Sequence, residues 1–247
     1  MDRMLFVSMD GARQTLMAQA ANSNNLANIN TTGFQSDLTA SLARPFDGPG
    51  LDTRVHNELR AVGFDPTPGR VAGTGRELDV AIVGPGWMAV QAFDGEEAYT
   101  RAGDFSVSGG GVLVNGQGHL VLGDGGPISV PPADTIEISR DGTVSVAPAG
   151  SNGTELVTVG RIKLVRPGAF ELEKGEDGLL RMKDGSLAPV DANVQLQAGS
   201  LERSNVNAVE SLVNMIELSR LFETQVRLMK VADENATAAS SMLRLRG

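Results

Sequence analysis

The sequence predicts an α+β protein in which a helix at each end of the chain contributes to one discontinuous helical domain, with an all-β domain inserted between them. All 11 prolines lie between Pro45 and Pro189, and 27 of the 30 glycines lie between Gly48 and Gly199. Both residues disfavour helix interiors, so long helices fit only at the chain ends. Apolar residues at 3/4 spacing mark those ends, whereas turn dipeptides recur in the middle.

Residues 1–34 contain the first predicted helix. It should end near residues 28–30, because asparagine and the following Gly33 tolerate the left-handed backbone that closes a helix. Its 3/4 spacing places a set of apolar and small residues on one stripe of the helix. These residues are Leu5, Met9, Ala12, Leu16, Ala20, Ser23 and Leu26.

Residues 201–247 contain the second predicted helix. Ser204 or Asn205 can cap its start, where free backbone N–H groups need an acceptor. Its stripe persists for about 35 residues, longer than in a typical globular helix, which indicates a coiled coil or a helical assembly. The stripe consists of Leu212, Met215, Leu218, Phe222, Val226, Met229, Ala232, Ala236, Ala239 and Leu243.

Residues 76–200 form the predicted all-β domain. Two apolar strands, residues 78–83 and 87–91, flank a Gly-Pro-Gly turn, and Asn-Gly or Asp-Gly pairs recur after them. Short strands separated by such turns are typical of an all-β domain. Residues 35–75 contain four prolines, and we interpret them as an extended linker or insertion.

The two helices need partners, because a helix with one apolar stripe must bury it. Antiparallel pairing of the two ends would satisfy part of each stripe. Since two helices cover only part of their combined apolar surface, the remainder predicts contacts with neighbouring copies or other subunits.

Charge follows the same division of the chain. Residues 1–34 carry two basic and two acidic side chains, and residues 201–247 carry six of each. Residues 35–200 carry 13 basic and 22 acidic side chains, which accounts for the whole net charge of −9. Neutral ends do not repel copies of themselves, and an acidic chain argues against nucleic acid as a partner.

Composition and motifs predict no catalytic, cofactor or metal site and no small-molecule substrate. The chain has no cysteine, and its two histidines, His56 and His119, lack zinc-ligand spacing. No phosphate-binding loop and no nucleophile-elbow motif occurs. The four consecutive apolar residues near the start are too few for a secretory signal, and no stretch approaches the ~20 needed for a membrane span. We therefore expect no cleaved signal peptide and no membrane insertion.

Three ordered blocks resemble bacterial flagellar rod and hook proteins. They are residues 24–34 (NNLANINTTGF), a central group comprising residues 73–83, 86–87, 99–105 and 115–118, and residues 199–207 (GSLERSNVN). Within that family the chain resembles proximal-rod members most. Distal-rod members are the near alternative, but they usually carry two phenylalanines where Trp87 and Met88 stand here.

The resemblance implies a structural, non-enzymatic subunit of the flagellar basal-body rod. Such proteins leave the cell through the flagellar type III export apparatus without a cleaved signal, and they assemble in the periplasm with copies of themselves and other rod subunits. Their terminal helices form the axial core of a tube that transmits torque and surrounds the export channel, with the β domains outside. The residues expected at the assembly interface are Leu5, Met9, Leu16, Asn24, Asn25, Leu26, Asn28, Phe34, Ser204, Asn205, Val206, Leu212, Met215, Leu218, Phe222, Val226 and Met229.

Other interpretations stay open at this point. Asn24, Asn25 and Asn28 are expected to hydrogen-bond the backbone at the turn after the helix, or to make contacts across subunits. Trp87 and Tyr99 could stack on a ligand, although positions in the β core explain them better. A secreted carbohydrate-binding or hydrolytic β domain with helical arms is the alternative from another functional class.

Overall fold

The computed structural model describes residues 2–45, 55–148 and 156–244 and contains long helices at both ends with β-strands between them. The predicted α+β class is confirmed. The chain divides into two compact units. The helical unit comprises Met1–Ala27, Asp37–Gly63 and Asn207–Gly247, and the β unit comprises Asn28–Ser36 and Phe64–Val206.

The helical unit pairs helix α1 (Asp2–Ala27) with helix α2 (Ala208–Arg244). Asn22 Nδ2 donates to the backbone oxygen of Ser211 at 2.7 Å, and a Cβ added at Gly11 would lie 3.0 Å from Gln225 Cδ. Later positions of α1 therefore meet earlier positions of α2, so the predicted antiparallel pairing of the chain ends is confirmed.

Residues 35–75 are more ordered than an extended linker. They contain β1 (Asp37–Pro45) and β2 (Val55–Phe64), which pair with each other, and β3 (Val71–Gly73). Pro45 ends β1, whereas Pro66 and Pro68 follow β2. These prolines flank the strands rather than interrupt them, which is where a residue without a backbone N–H is tolerated. The unit boundaries accordingly differ from the predicted positions 34, 75 and 200.

The helix ends differ slightly from their predicted positions. Helix α1 ends at Ala27, and Gly33 adopts the left-handed conformation with φ of 65°. Helix α2 begins at Ala208, where the side-chain oxygen of Asn207 accepts a hydrogen bond from the Val209 N–H at 3.1 Å. Asn207 is the cap, and the prediction of Ser204 or Asn205 was wrong, because both of those side-chain oxygens accept bonds from other backbone N–H groups.

The β unit holds the remaining strands and one short 3₁₀ helix, Ala169–Glu171. The strands are β4 (Val80–Val83), β5 (Trp87–Gln91), β6 (Glu97–Thr100), β7 (Ser106–Val107), β8 (Leu113–Val114), β9 (Leu120–Gly123), β10 (Gly126–Pro127), β11 (Ala133–Ile138), β12 (Thr143–Pro148), β13 (Val157–Arg161), β14 (Leu164–Val165), β15 (Leu172–Lys174), β16 (Leu180–Met182), β17 (Gln195–Ala198) and β18 (Ser200–Glu202).

Strand β5 is central to the largest sheet, which has nine strands. Their order is β15-β16-β6-β5-β9-β8-β7, with β10 paired to β9 and β14 paired to β5. The smaller sheets of this unit are β11-β12-β13, β17-β4 and β18-β3. Successive side chains of a strand point to opposite faces, and Trp87 and Met88 of β5 accordingly enter two different apolar clusters. Trp87 and Tyr99 are core residues of one cluster, as the sequence favoured.

Candidate assembly surfaces

The face of α1 that meets α2 consists of small and polar residues except for Leu26 near its end. Ser8, Ala12 and Thr15 are buried, and a 4/3 spacing continues through half-buried positions of the same face. Those positions are Gln19, Asn22 and Leu26. Small side chains let the partner helix approach closely, and at Gly11 an added Cβ would lie only 3.0 Å from Gln225 Cδ.

The facing side of α2 carries the larger residues. Ser211 and Ala232 are buried, and they mark the first and last positions of this facing side. Unbroken 4/3 spacing connects them through half-buried positions. These are Met215, Leu218, Phe222, Gln225 and Met229. Long side chains from one helix thus fill the space that short side chains leave on the other, which gives dense packing. We call the two facing sets the seam.

The seam separates the predicted interface residues into two groups. Leu26, Met215, Leu218, Phe222 and Met229 lie on the seam and are half-buried within this chain. Leu5, Met9, Leu16, Leu212 and Val226 are exposed. The predicted α1 stripe mixes two neighbouring sides of the helix. Its members Ala12 and Leu26 lie on the seam, whereas Leu5, Met9 and Leu16 lie on the adjacent exposed side.

Nine exposed large apolar residues of the two helices form two patches, whereas Val7, Leu221, Val226, Leu228 and Val231 are exposed outside them. The α1 patch consists of Leu5, Phe6, Met9, Leu16 and Met17, and the α2 patch consists of Val209, Leu212, Val213 and Ile216. Helical spacing places the members of each patch on one side of their helix. Met9 is 53% exposed and Ile216 is 54% exposed. Single exposed apolar residues are common, but several on one side of a helix indicate an interaction surface.

The two patches lie towards opposite ends of the helix pair. The α1 patch begins near the start of α1 and extends past its midpoint to Met17, the α2 patch lies at the start of α2, and the two helices run antiparallel. The α2 patch adjoins the contact between Asn22 and Ser211, whereas the α1 patch surrounds Gly11, which meets Gln225.

Asn24 and Asn25 fasten the end of α1 to the start of β1. Asn25 Nδ2 donates to the backbone oxygen of Asp37 at 3.0 Å, and the Asp37 N–H donates back to Asn25 Oδ1 at 2.8 Å. Asn24 Nδ2 donates to the Asp37 carboxylate at 3.1 Å. The side-chain amide of Asn25 thereby satisfies both backbone groups of Asp37, which is the backbone contact that the sequence predicted.

Asn205 joins separate segments within the β unit. Its Oδ1 accepts from the Ser36 N–H at 2.8 Å, and its Nδ2 donates to the backbone oxygens of Asp65 and Thr67, each at 3.1 Å. Its own N–H donates to the Phe34 oxygen at 3.2 Å. All four of these hydrogen bonds are made within this chain, so Asn205 connects segments of one subunit.

Asn28, Phe34, Ser204 and Val206, which were also predicted at the assembly interface, make contacts within the β unit. Asn28 Oδ1 accepts from the Thr31 hydroxyl at 3.0 Å, and the half-buried Val206 donates its N–H to Ser204 Oγ at 3.2 Å. The ammonium of Lys174 lies 3.9 Å from the centre of the Phe34 ring, a cation–π contact.

A buried ion pair between Arg101 and Glu202 anchors the β unit. Arg101 Nε lies 2.9 and 2.8 Å from the two Glu202 oxygens, and the Arg101 Nη groups donate to the backbone oxygens of Gly86 and Gly84 at 2.7 and 3.0 Å. Glu202 Oε1 also accepts from the Gly69 N–H at 2.9 Å. Burial of both charges is offset only because every charged group is paired.

The sequence analysis missed this pair. The available signal was that Arg101 and Glu202 are charged residues inside two of the three family-like blocks. Gly33 and Gly69 approach the same region closely. A Cβ at Gly33 would overlap the backbone between Arg101 and Ala102, and a Cβ at Gly69 would overlap the Arg203 carbonyl.

Two buried acidic groups of the β unit have raised pKa values. Burial raises the pKa of the Tyr99 hydroxyl to about 12, and the nearby Glu97 carboxylate, which accepts its hydrogen bond at 2.9 Å, adds to this effect. Burial likewise raises the pKa of Asp104. Over the described ranges, no group of three or more potential metal-ligating side chains occurs, and no helix is long and apolar enough to span a membrane.

Three family models match the chain in sequence order. "Flagella basal body rod protein" covers residues 5–35, "Flagellar hook protein FlgE/F/G D1 domain" covers residues 81–146, and "Flagellar basal body rod FlgEFG protein C-terminal" covers residues 197–242. The first and last models span most of the two helices, and the middle model falls within the β unit.

Curated relatives match over nearly the full length. The flagellar basal-body rod protein FlgF of Salmonella typhimurium strain LT2 is 41% identical over 98% of this chain and 99% of its own. FlgF of Escherichia coli K12 is 40% identical over the same shares. FlgG of Buchnera aphidicola subsp. Schizaphis graminum is 30% identical over 93% of this chain and 95% of its own.

These matches agree with a fold of two paired terminal helices and an intervening β unit. The chain belongs to the flagellar basal-body rod protein family. Within that family it is a FlgF-like structural rod subunit. The FlgG-like alternative has less support, because the FlgG proteins of two Buchnera aphidicola subspecies and of Agrobacterium fabrum are 30–31% identical to this chain, whereas FlgF of Salmonella typhimurium and of Escherichia coli are 41% and 40% identical.

Proposed function

We propose that this rod subunit polymerises through its terminal helices, in the proximal rod, into the axial tube that transmits torque and surrounds the export channel. The observation that carries the proposal is the exposure of the α1 patch and the α2 patch on helices that are already paired. Burial of one large apolar side chain contributes roughly 1.5–3 kcal/mol. A neighbour that covers several of these side chains would therefore gain enough free energy to hold the subunit in an assembly.

The partners in this proposal are copies of the chain and other rod subunits. Residues 1–34 and 201–247 have no net charge, so like copies are not repelled at the helices. We also propose a structural rather than catalytic role, periplasmic assembly, and delivery by the flagellar type III export apparatus without a cleaved signal. The support is that close relatives are named basal-body rod proteins.

The position of the two patches favours a contact between unlike surfaces. An assembly that extends needs a surface on one copy that fits a different surface on the next. The α1 patch and the α2 patch lie towards opposite ends of the helix pair, so contact between unlike patches leaves one patch free at each end. We propose that the α1 patch of one subunit packs on the α2 patch, or its equivalent, of the next subunit.

The proposed assembly can be tested by exchanging the gene in the source bacterium. The variant Met9→Glu/Leu16→Glu should be absent from purified basal bodies, and its cells should not swim. The control Val7→Glu/Leu221→Glu places the same charge at exposed apolar positions outside both patches and should be incorporated. Incorporation of the first variant with normal swimming would contradict the role of the α1 patch.

Mixing purified variants tests which patches meet. Met9→Glu/Leu16→Glu keeps the α2 patch, whereas Leu212→Glu/Ile216→Glu keeps the α1 patch. Unlike contacts predict that each variant sediments as a monomer alone and that an equimolar mixture forms a heterodimer. Self-association of either variant alone would instead indicate that like patches meet.

A further inference from the structure

Seven side-chain polar atoms of the β unit are buried without a hydrogen-bond partner among the described residues. Three of them belong to two side chains that line one cavity: the two polar atoms of the Gln35 amide and the indole Nε1 of Trp87. Gln35 is 5% exposed and Trp87 is 3% exposed. Buried polar groups in folded proteins almost always have a partner, so three orphaned atoms require an explanation.

Both side chains line the same small cavity. Gln35 belongs to the segment Asn28–Ser36 and Trp87 begins strand β5, and Tyr99, Thr100 and Arg101 contribute to the walls. The cavity has a volume of about 10 Å³. A single water molecule needs about 10–15 Å³ and two to four polar partners. The site therefore has the size and the polarity of a water site.

We propose that this cavity binds one ordered water molecule that bridges Gln35 and Trp87. The water accepts hydrogen bonds from Trp87 Nε1–H and Gln35 Nε2–H and donates one to Gln35 Oε1. This arrangement satisfies all three atoms. Two of the three atoms are donors, and the walls include Arg101 and Lys174, so a cation does not fit the site.

The bridge would be a further attachment of the segment Asn28–Ser36 to the rest of the β unit. Direct hydrogen bonds already join the main chain of this segment to that unit. They are Gly33 N–H to Glu202 O at 2.8 Å, Asn205 N–H to Phe34 O at 3.2 Å, Lys174 Nζ to Gln35 O at 2.7 Å, Ser36 N–H to Asn205 Oδ1 at 2.8 Å, and Asp65 N–H to Ser36 O at 2.9 Å. The water would instead attach the side chain of Gln35, and it would tie that side chain to the central strand of the large sheet.

Nuclear magnetic resonance can test this site directly, because Trp87 is the single tryptophan and gives a single indole N–H signal. The full-length ¹⁵N-labelled, deuterated chain should show a cross-peak between this N–H and water, with the sign of a bound molecule that stays longer than a nanosecond. The variant Gln35→Leu should lose the cross-peak while the other amide signals stay dispersed. Gln117→Leu, at an exposed position, should retain it.

Exchangeable hydroxyl protons of the cavity wall provide the critical control. Thr100→Val and Tyr99→Phe should both keep the cross-peak, and its loss in either would assign the signal to relay through a hydroxyl and overturn the proposal. A wild-type chain without the cross-peak, or a cross-peak unchanged in Gln35→Leu, would also overturn it. If Gln35→Leu does not fold, Gln35→Met serves as the second apolar variant with the same expected loss.

Discussion

Arg101 and Glu202 lie 101 positions apart in the sequence, and their charged groups meet in the β unit at 2.8 Å with each side chain 1% exposed. The backbone oxygen of Glu202 also accepts the Gly33 N–H at 2.8 Å. Arg101 lies in the central family-like block, Glu202 in the last and Gly33 in the first. All three blocks therefore converge on one ion pair.

Replacement of Arg101 should be strongly destabilising. Arg101→Met leaves the Glu202 carboxylate buried without its counter-charge, and we expect a loss of about 3–5 kcal/mol in the free energy of unfolding. Arg101→Lys should not restore stability, because a single ammonium cannot reproduce the planar guanidinium contacts. Urea unfolding followed by Trp87 fluorescence measures both. The exposed Arg140→Met is the control, and a loss for Arg101→Met as small as that of the control would refute the role of the pair.

Gly33 should resist substitution more than another glycine with positive φ. Gly33→Ala requires the left-handed conformation and also overlaps the backbone between Arg101 and Ala102. Gly95 has φ of 89° but open space around its Cβ position, so Gly95→Ala carries only the conformational cost of about 1–2 kcal/mol. Urea unfolding should give a clearly larger loss for Gly33→Ala. Equal losses would mean that the close approach has no energetic consequence.

Asn25 should matter more than its neighbour Asn24. Asn25→Ala removes the partner of both backbone groups of Asp37, and we expect a loss of about 1–3 kcal/mol. Asn24→Ala removes an exposed contact to a carboxylate and leaves both backbone groups of Asp37 bonded to Asn25, so the loss should be smaller than for Asn25→Ala. Unfolding of the helices followed by circular dichroism measures the difference. The same substitution should impair rod assembly in cells, and normal assembly of Asn25→Ala would count against an assembly role for this residue.

The raised pKa of Tyr99 predicts that the folded chain loses stability at alkaline pH. Its pKa is raised to about 12 in the folded chain, whereas an unperturbed tyrosine titrates near 10. Between these values the folded state binds the proton more tightly than the unfolded state, so the contribution to stability is complete below pH 10 and is lost as the pH rises towards 12.

Ultraviolet absorbance can follow this titration without overlap, since Tyr99 is the only tyrosine. At pH 11 the hydroxyl should remain largely protonated in the folded chain and be largely ionised in urea. Glu97→Gln should lower the folded-state pKa, because it removes a negative charge that raises it. Ionisation of the folded wild type near pH 10 would contradict the buried environment described here.

The large-scale fold was predictable, because helix breakers and apolar spacing are local signals. The ends of the chain, the antiparallel pairing and strand β5 all follow from such patterns. Details that depend on packing were less accessible. Ser204, Asn205 and Asn207 can all cap a helix. Asn205 is used elsewhere, because its Oδ1 accepts from the Ser36 N–H and its Nδ2 donates to the Asp65 backbone oxygen. Which large apolar residues join the seam depends on small residues such as Ser8 and Ala12 in the partner helix.

The buried ion pair was not predictable from any pattern of hydrophobicity, because charged residues are normally exposed. Residues 37–42 alternate polar and apolar side chains, which is a strand signal, but the four prolines of residues 35–75 suggested an irregular segment until the strand ends were known. Only the three-dimensional structure brings Gly33, Arg101 and Glu202 together.

The contacts that join Gly33, Arg101 and Glu202 also determine when the β unit can form during synthesis or export. The β unit includes both Asn28–Ser36 and the strand β18 near residue 200, so its strands cannot all pair until more than four-fifths of the chain has emerged. A chain that leaves a ribosome or a narrow channel from either end would carry Arg101 or Glu202 unpaired while the 101 positions that separate them emerge. Closure of the β unit is therefore a late event that waits for nearly the whole polypeptide.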